Sequence, residues 1–330
     1  MTVRILTESE LREVARLDAR AVDTIAGAFA ALHRGEAVMP PVLSMDLEEL
    51  NAEVDVKTAW MRGLESFAVK ISSGFFNNGL HGLPSLAGMM AMLDGATGRV
   101  SAVLLDNGWL TDLRTAAAGA VAARYLARTE ATTAAVVGTG LQARLQLEAL
   151  TLVRPIERAL VWGRDPDKAQ ECARDCAERL GITVEAADDV VTAARAADIV
   201  VTTTPAREAV LPAAALQPGV HVTAMGSDAP DKNELDPTIA VRADLFVCDR
   251  QAQCATIGEL RSAIAAGSVP AGAQVPELGA IAADDHAGRQ SDQQITVADL
   301  TGTGVQDTAI AALALDLATE RGFGSTITTD

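Results

Sequence analysis

The sequence predicts an α/β protein of two domains, one of them built on a doubly wound parallel sheet, and three observations predict it. First, the short apolar run 134–137 breaks into Gly138-Thr139-Gly140 and resumes as Leu141-Gln142-Ala143-Arg144. This is the order of strand, tight glycine turn and helix that opens a dinucleotide site. Second, apolar runs recur at 134–137, 159–162, 198–202, 220–225 and 244–247, most of them separated by helical stretches such as 166–180 and 188–197. That rhythm requires a parallel sheet covered on both faces. Third, 54–60, 67–73 and 100–106 are alternating or β-branched runs, which predict a mostly antiparallel sheet ahead of the glycine turn. A chain of 330 residues also exceeds a comfortable single core.

Composition narrows the function classes. With 49% hydrophobic residues the chain can bury a sizeable interior, and with only 3% aromatics that interior must be aliphatic and alanine-rich. Lys and Arg number 27 against 44 Asp and Glu, a net charge of −17, which argues against nucleic acid and anionic membranes as partners. An anionic substrate would have to be held by local cations against that field. The opening MTVRILTESELREVARL lacks a hydrophobic signal core, and no run of about 18 apolar residues occurs. A soluble, cytoplasmic protein is expected. Cys172, Cys176, Cys248 and Cys254 are too few and too scattered for a disulfide framework. Cys172 and Cys176 have helical i,i+4 spacing without a nearby histidine, so buried free thiols are expected and no metal.

In chain order, Thr7-Glu8-Ser9-Glu10 reads as a capping box, and Leu11, Val14, Val22, Ile25, Phe29 and Leu32 follow it at the spacing of one long amphipathic helix. Pro40-Pro41 stops regular structure. A glycine-rich loop, GFFNNGLHGLPS (74–85), lies between two of the strands, with a turn at Asp94-Gly95 beyond it. Residues 114–128 have high helix propensity and small side chains, and lead straight into the glycine turn. Residues 268–294 form a polar excursion, 295–300 a final strand, 302–304 a turn and 305–321 a long terminal helix. No internal repeat occurs.

Several residues carry candidate chemistry. Gly138 would permit the turn, Gly140 would let a pyrophosphate approach the backbone, and Ala143 is small where helix meets strand. The first N–H groups of that helix lack intrahelical partners and suit a diphosphate. About 20 residues on, Arg164-Asp165 follows the second strand, where an acid commonly takes the ribose hydroxyls. Asp165 could bind that ribose or simply charge a helix start before Pro166, and Arg164 could stack on adenine or hold a 2′-phosphate. NAD is expected over NADP, because the charge of Asp165 disfavours a neighbouring phosphate. Thr203 and Thr204, before Pro205, either line the cofactor or close a strand. Met225, Gly226 and Asp228 end the next strand at the same edge; a partly desolvated Asp228 could act as general acid/base, and otherwise it is a cap or a partner of Lys232. Lys70, mid-strand in FAVKISS, is either solvated or near an anion. Arg114 either holds a carboxylate bidentately or is a surface charge. His81 is a lone histidine in the glycine-rich loop.

Taken together, FAVKISSGFF…HGLPS, LLDNGWLTDLRTAAAGAVAARYLA, VVGTGLQAR, VWGRDPDKA, TTTP, AMGSDAPDKNELD and GRQSDQQITVADLTGTGVQD resemble the ornithine cyclodeaminase/μ-crystallin family, closest to its ectoine-utilisation cyclodeaminase branch. The resemblance runs colinearly over nearly the whole chain. It implies a Rossmann domain, 118–305, inserted into an α+β substrate-binding and dimerisation domain, 1–117 plus 306–330, and a homodimer. It further implies that Lys70 and Arg114 face the substrate cleft and bind an α-carboxylate, that Asp228 is the acid/base, and that nicotinamide faces Lys70. Arg114, Thr115, Thr139, Gly140, Leu141 and Gln142 would hold the pyrophosphate, Arg164 and Asp165 the adenosine, and Thr203, Met225 and Val305 the nicotinamide. Ser44 stands where many relatives carry an arginine that anchors the carboxylate, which leaves Asn77, Asn78, His81 and Ser85 as neighbouring donors. The reaction implied is reduction of a small α-imino acid by NADH, with iminosuccinate to aspartate as the specific expectation. A cyclodeaminase acting on ornithine or an ectoine-derived diamino acid is the alternative, with Glu53 or Asp55 receiving the distal amine, and a non-catalytic protein that retains cofactor is the third reading.

Overall fold

The structure, a computed structural model, describes residues 2–329 and divides into two compact units. The first unit runs up to Arg114 and resumes at Thr303; the second is Thr115–Gly302.

The first unit is built on a seven-stranded sheet in the order Ser325–Thr328, Thr2–Thr7, Val100–Leu105, Leu86–Asp94, Ser66–Phe75, Ala52–Thr58, Leu43–Leu47. All pairs are antiparallel except Thr2–Thr7 with Val100–Leu105. The predicted mostly antiparallel sheet is therefore present, with strands that the sequence pattern did not reveal. Leu86–Asp94 reads LAGMMAMLD, whose Ala, Gly and Met residues have little intrinsic strand preference; pairing on both sides makes it a strand. The capping box at Thr7 and Glu10 forms, but one long first helix does not: the chain makes two helices, Glu8–Val14 and Ala19–His33. Asp18 ends the break by accepting the Ala21 N–H at 2.9 Å, so a competing N-cap divides the apolar pattern.

The terminal helix Gly304–Glu320 lies against Ala19–His33 and the strand Ser66–Phe75. Gly304 permits this closeness, since a Cβ there would stand 2.4 Å from the Thr58 carbonyl oxygen. Thr308 then pins the helix to the sheet: its hydroxyl donates to the Ala59 carbonyl at 2.7 Å and accepts the Ala68 N–H at 3.1 Å.

The second unit holds the doubly wound sheet. Its seven parallel strands run Thr183–Ala186, Arg158–Trp162, Thr133–Val137, Ile199–Thr202, His221–Ala224, Thr296–Asp299, Leu245–Cys248. Alternate residues feed opposite cores: Ala135 and Val137 join Val200 and Val222 on one side, while Ala134 and Val136 join Ile199, Val201, Cys172 and Cys176 on the other. Both faces are thus covered, as near-continuous apolar strands require. The strand order reverses between Thr133–Val137 and Ile199–Thr202, the switch point at which such sheets bind ligands. The expected final strand, Thr296–Asp299, lies inside this sheet; the chain's last strand, Ser325–Thr328, is an edge of the other one. The helix expected from residue 114 starts at Trp109, because Asp106 accepts the Leu110 N–H at 2.9 Å and nucleates it earlier. Among the described residues, no helix is long and apolar enough to cross a membrane.

Candidate active site

Lys70 projects from the buried face of Ser66–Phe75 and is 2% exposed. Directly across the sheet its register partners are Lys57 and Met90. The terminal helix brings Asp307 to this row: the Lys70 ammonium donates to Oδ1 at 3.1 Å and lies 3.0 Å from Oδ2, and Arg114 Nε donates to Oδ1 at 3.0 Å. Asp307 is completely buried, and Lys57 and Arg114 are nearly so. Burial pulls the Lys70 ammonium down to about 7, assisted by Arg114 and Lys57 and opposed by Asp307. Burial alone would raise Asp307, but Lys70, Arg114 and Lys57 outweigh it and hold that carboxyl below its ordinary range. A second buried acid, Asp106, is raised by desolvation, and its Oδ1 has no hydrogen-bond partner. Lys70 and Arg114 meeting on one shared carboxylate, with Lys57 in the adjoining register position, form a site suited to an arriving anion, which would favour the charged form of Lys70.

In the second unit, Gly138 has φ +132°, and a Cβ there would sit 2.3 Å from Thr203 Oγ1. Only glycine fits this turn. Gly140 is the N-cap of Leu141–Thr151 and offers no side chain to the first N–H groups, which therefore stay open to an anion. Arg144 braces the loop, its Nη1 donating to the Thr139 carbonyl at 2.6 Å and the Gly140 carbonyl at 3.3 Å. Gly163 lets the end of the next strand approach, since a Cβ there would be 2.5 Å from Thr139 Cγ2. Asp165 caps Pro166–Leu180 through Oδ1, accepting from Asp167 N at 3.0 Å and Lys168 N at 3.3 Å, which leaves Oδ2 for a ribose hydroxyl. Arg164 is exposed beside it. These residues fit a dinucleotide: an open helix start for the diphosphate and an acid three residues beyond the second strand.

Other expected contributors stand differently. Val305 is fully buried among Ala28, Leu32, Ala59, Met61 and Ala309, a core position rather than a surface for nicotinamide. Thr204 and Gly226 are engaged by Glu234, as described below. Asp228 is 47% exposed and ion-paired to Lys232 at 2.6 Å, so it is not desolvated; the pairing read as the plainer alternative is the one that forms. Thr203 donates to the Val137 carbonyl at 3.3 Å, closing the strand while lining the glycine turn. Met225 is half-buried against the apolar core, Leu141 is exposed, Gln142 accepts from Gln146 Nε2 at 3.3 Å, and the Thr115 carbonyl accepts from the same amide at 3.0 Å. Asn77 ties its loop to the turn before Ala52–Thr58, its Oδ1 accepting from Asn51 at 3.1 Å and its Nδ2 donating to the Leu50 carbonyl at 3.4 Å, while Asn78 Nδ2 donates within the loop to the Pro84 carbonyl. His81 is exposed, and Ser85 lends its carbonyl to Phe75 N at 2.7 Å. Ser44 is exposed opposite Asp55, and the rung Ser44, Asp55, Ser72, Gly88 lies next to the Lys57–Lys70 row on the same face. The following rung on that face holds Asp46, Glu53, Gly74 and Leu86.

Sequence reasoning missed Lys57, Asp307 and Glu234. Lys57 carried a usable signal, since it shares alternation with the buried Ala59 of VDVKTAW. Asp307 sits between Gln306 and Thr308 in a polar first turn, where an acid is ordinary, and the sequence holds no pointer to its partners. Glu234 accepts from Thr202 Oγ1 (2.6 Å), Thr204 N (2.5 Å), Thr204 Oγ1 (2.8 Å) and Gly226 N (2.7 Å). Its neighbour Glu259 is raised to about 8 and Asp299 to about 7, in both cases by burial first. Cys248, Cys254 and Asp299 place metal-capable donors within 4.8 Å of one another, although Cys254 Sγ already donates to Asp249 Oδ1 at 3.2 Å.

Comparison with known proteins places this geometry in context. The sequence profile of the ornithine cyclodeaminase/mu-crystallin family matches residues 1–322. An uncharacterised cyclodeaminase of Sinorhizobium fredii is 53% identical over 98% of either chain. Among solved structures, an archaeal alanine dehydrogenase dimer with bound NAD superposes with a TM-score of 0.93 at 31% identity, covering 100% of both chains. The iminosuccinate reductase of Paracoccus denitrificans in complex with NAD⁺ does so with a TM-score of 0.92 at 32% identity, again over 100% of both.

Proposed function

The chain belongs to the ornithine cyclodeaminase/mu-crystallin family, and from that premise we propose that it is an NAD-dependent enzyme transferring hydride to the imine carbon of a small α-imino acid. The observation that carries this reading is the buried pairing of Lys70 and Arg114 on Asp307, which gathers an ammonium and a guanidinium at one point where a substrate carboxylate would find both. Bound NADH supplies the hydride. Lys70 and Arg114 hold and orient the carboxylate, and Asp228, once parted from Lys232, governs the imine proton. Gly138, Thr139, Gly140 and the start of Leu141–Thr151 receive the diphosphate, and Asp165 Oδ2 the adenosine ribose. The iminosuccinate reductase and alanine dehydrogenase relatives, both solved with NAD bound, support the cofactor and the reaction class. Iminosuccinate, reduced to aspartate, is the substrate proposed. A homodimer is proposed as well, supported by the dimeric relative and by an apolar sheet face considered below.

A second reading is favoured by a specific observation. Asp55 and Glu53 occupy the two rungs that follow Lys57 and Lys70 on one sheet face. Carboxylates there would repel the distal carboxylate of iminosuccinate and attract a distal amine, as a cyclodeaminase acting on a diamino acid would use. One assay separates the two. Purified protein is given NADH with 2-oxo acids and ammonium, oxaloacetate and pyruvate among them, and in parallel NAD⁺ with ornithine or 2,4-diaminobutyrate. Net NADH consumption supports the reductase, and ammonia release without net redox change supports the lyase. Nucleotide binding with neither signal would refute both and leave a cofactor-retaining binder.

A further inference from the structure

We propose that Glu234 is a positioning residue for the nicotinamide half of the dinucleotide, an inference that rests on the cofactor reading above. In a doubly wound sheet the two halves of a dinucleotide lie on opposite sides of the switch point. The glycine turn and Asp165 assign the adenosine half to Thr133–Val137 and Arg158–Trp162. The other half falls to the carboxyl ends of Ile199–Thr202 and His221–Ala224. Beyond those ends the chain leaves the sheet as 203–205 and 225–228, segments without regular structure of their own.

Glu234 joins them. Its Oε1 accepts the Thr204 N–H at 2.5 Å and the Thr204 hydroxyl at 2.8 Å; its Oε2 accepts the Gly226 N–H at 2.7 Å and the Thr202 hydroxyl at 2.6 Å. The carboxylate is completely buried, and Gly226 is the residue that admits it, since a Cβ there would stand 2.5 Å from Glu234 Cδ and 2.1 Å from the Thr204 carbonyl. Glu234 is fixed in turn by Glu259, whose Oε1 accepts the Glu234 N–H at 2.7 Å and whose Oε2 accepts the Leu235 N–H at 3.2 Å. The two backbone donors demand an acceptor at each oxygen of the side chain. A hydroxyl can rotate to become an acceptor, but the Thr204 and Gly226 N–H groups cannot, and each faces a different oxygen. An amide at 234 would set its NH₂ against one of these backbone donors whichever way it turned, releasing one segment while keeping the side chain's size.

The test compares NADH with ADP-ribose, which shares the adenosine and diphosphate but lacks nicotinamide. Both are titrated calorimetrically into the full chain and into Glu234→Gln, with no turnover required. The substitution should weaken NADH binding at least tenfold and ADP-ribose binding less than twofold. Parallel losses would reduce Glu234 to general support of the fold, and unchanged affinities would remove it from the site; either overturns the proposal. Should Glu234→Gln not fold, Thr204→Val deletes one of the hydroxyl bonds and should weaken NADH about threefold with ADP-ribose unchanged, equal effects on both ligands again overturning it. Wild-type protein that binds neither nucleotide would refute the cofactor reading itself and this proposal with it.

Discussion

Lys70 shows how far burial can move one side chain. In water its ammonium would titrate near 10.5, and in the folded chain it does so at about 7. An arriving carboxylate favours the charged form, so substrate binding and protonation are coupled. The kcat/KM of the free enzyme toward a carboxylate substrate should therefore fall as pH rises through about 7. Lys70→Ala should abolish that break and raise KM on the order of a hundredfold, with NAD affinity measured by titration essentially unchanged. An unaltered KM would take Lys70 out of the site. Folding linkage has its own sign: from about 7 to 10.5 the folded state binds fewer protons at Lys70 than the unfolded chain, so this group favours folding increasingly as pH rises through that window. Lys70 and Arg114 were legible as candidates because a lysine at a strand centre and an arginine heading an alanine-rich run break local pattern. Their partner was not. Asp307 lies 237 residues from Lys70 and 193 from Arg114, and no local periodicity encodes such a pairing.

At the scale of elements, buried carboxylates fasten the carboxyl edge of the parallel sheet. Asp249, which follows Leu245–Cys248, accepts the Thr301 and Gly302 N–H groups, both at 2.8 Å. Asp299, ending its strand, accepts Leu260 N at 2.8 Å, and Glu259 holds the segment that carries Glu234. Because burial raises Asp299 to about 7 and Glu259 to about 8, the folded state binds more protons than the unfolded chain between the ordinary carboxyl range and those values. Both groups therefore stabilise the fold at mildly acidic pH and lose that contribution as pH rises through about 7 to 8. Lys70 above about 7 and the buried His221, lowered to about 3, act in the opposite direction over part of this interval, but the two carboxyls together outweigh them. The melting temperature of the ligand-free protein should therefore be higher at pH 5.5 than at pH 8.5, and Asp299→Asn should shrink or reverse the difference. A melt independent of pH in both proteins would count against buried, protonated carboxyls. The Rossmann strands were legible because each is a continuous apolar run, whereas Thr183–Ala186 and Ser325–Thr328 are short edges with little apolar surface to announce them.

At the scale of the whole molecule, the sheet of the first unit has two unlike faces. One carries Lys57 and Lys70 beneath the terminal helix. The other carries the row Leu43, Val56, Ile71, Met89, with Leu43 63% and Ile71 41% exposed. An apolar row left in water calls for a cover, and a second copy of the chain is the occupant proposed, in keeping with the dimeric relative. The double substitution Leu43→Asp with Ile71→Asp should convert the assembly to monomers, read as mass by light scattering, while the far-ultraviolet circular dichroism stays that of the parent. A parent protein that is already monomeric would refute the interface. Sequence by itself determined what depends on near neighbours: the apolar runs, the capping box at Thr7, the glycine that only the 138 turn can use, and a motif series that identifies the family. Tertiary structure alone decided which charges share one carboxylate, that Val305 belongs to a core, that Asp228 pairs with Lys232, and that Glu234 joins two strand ends. The reason is physical: periodicity and turn chemistry act over a few residues, whereas desolvation and Coulomb energy depend on distances through space that the chain sets only once it has folded.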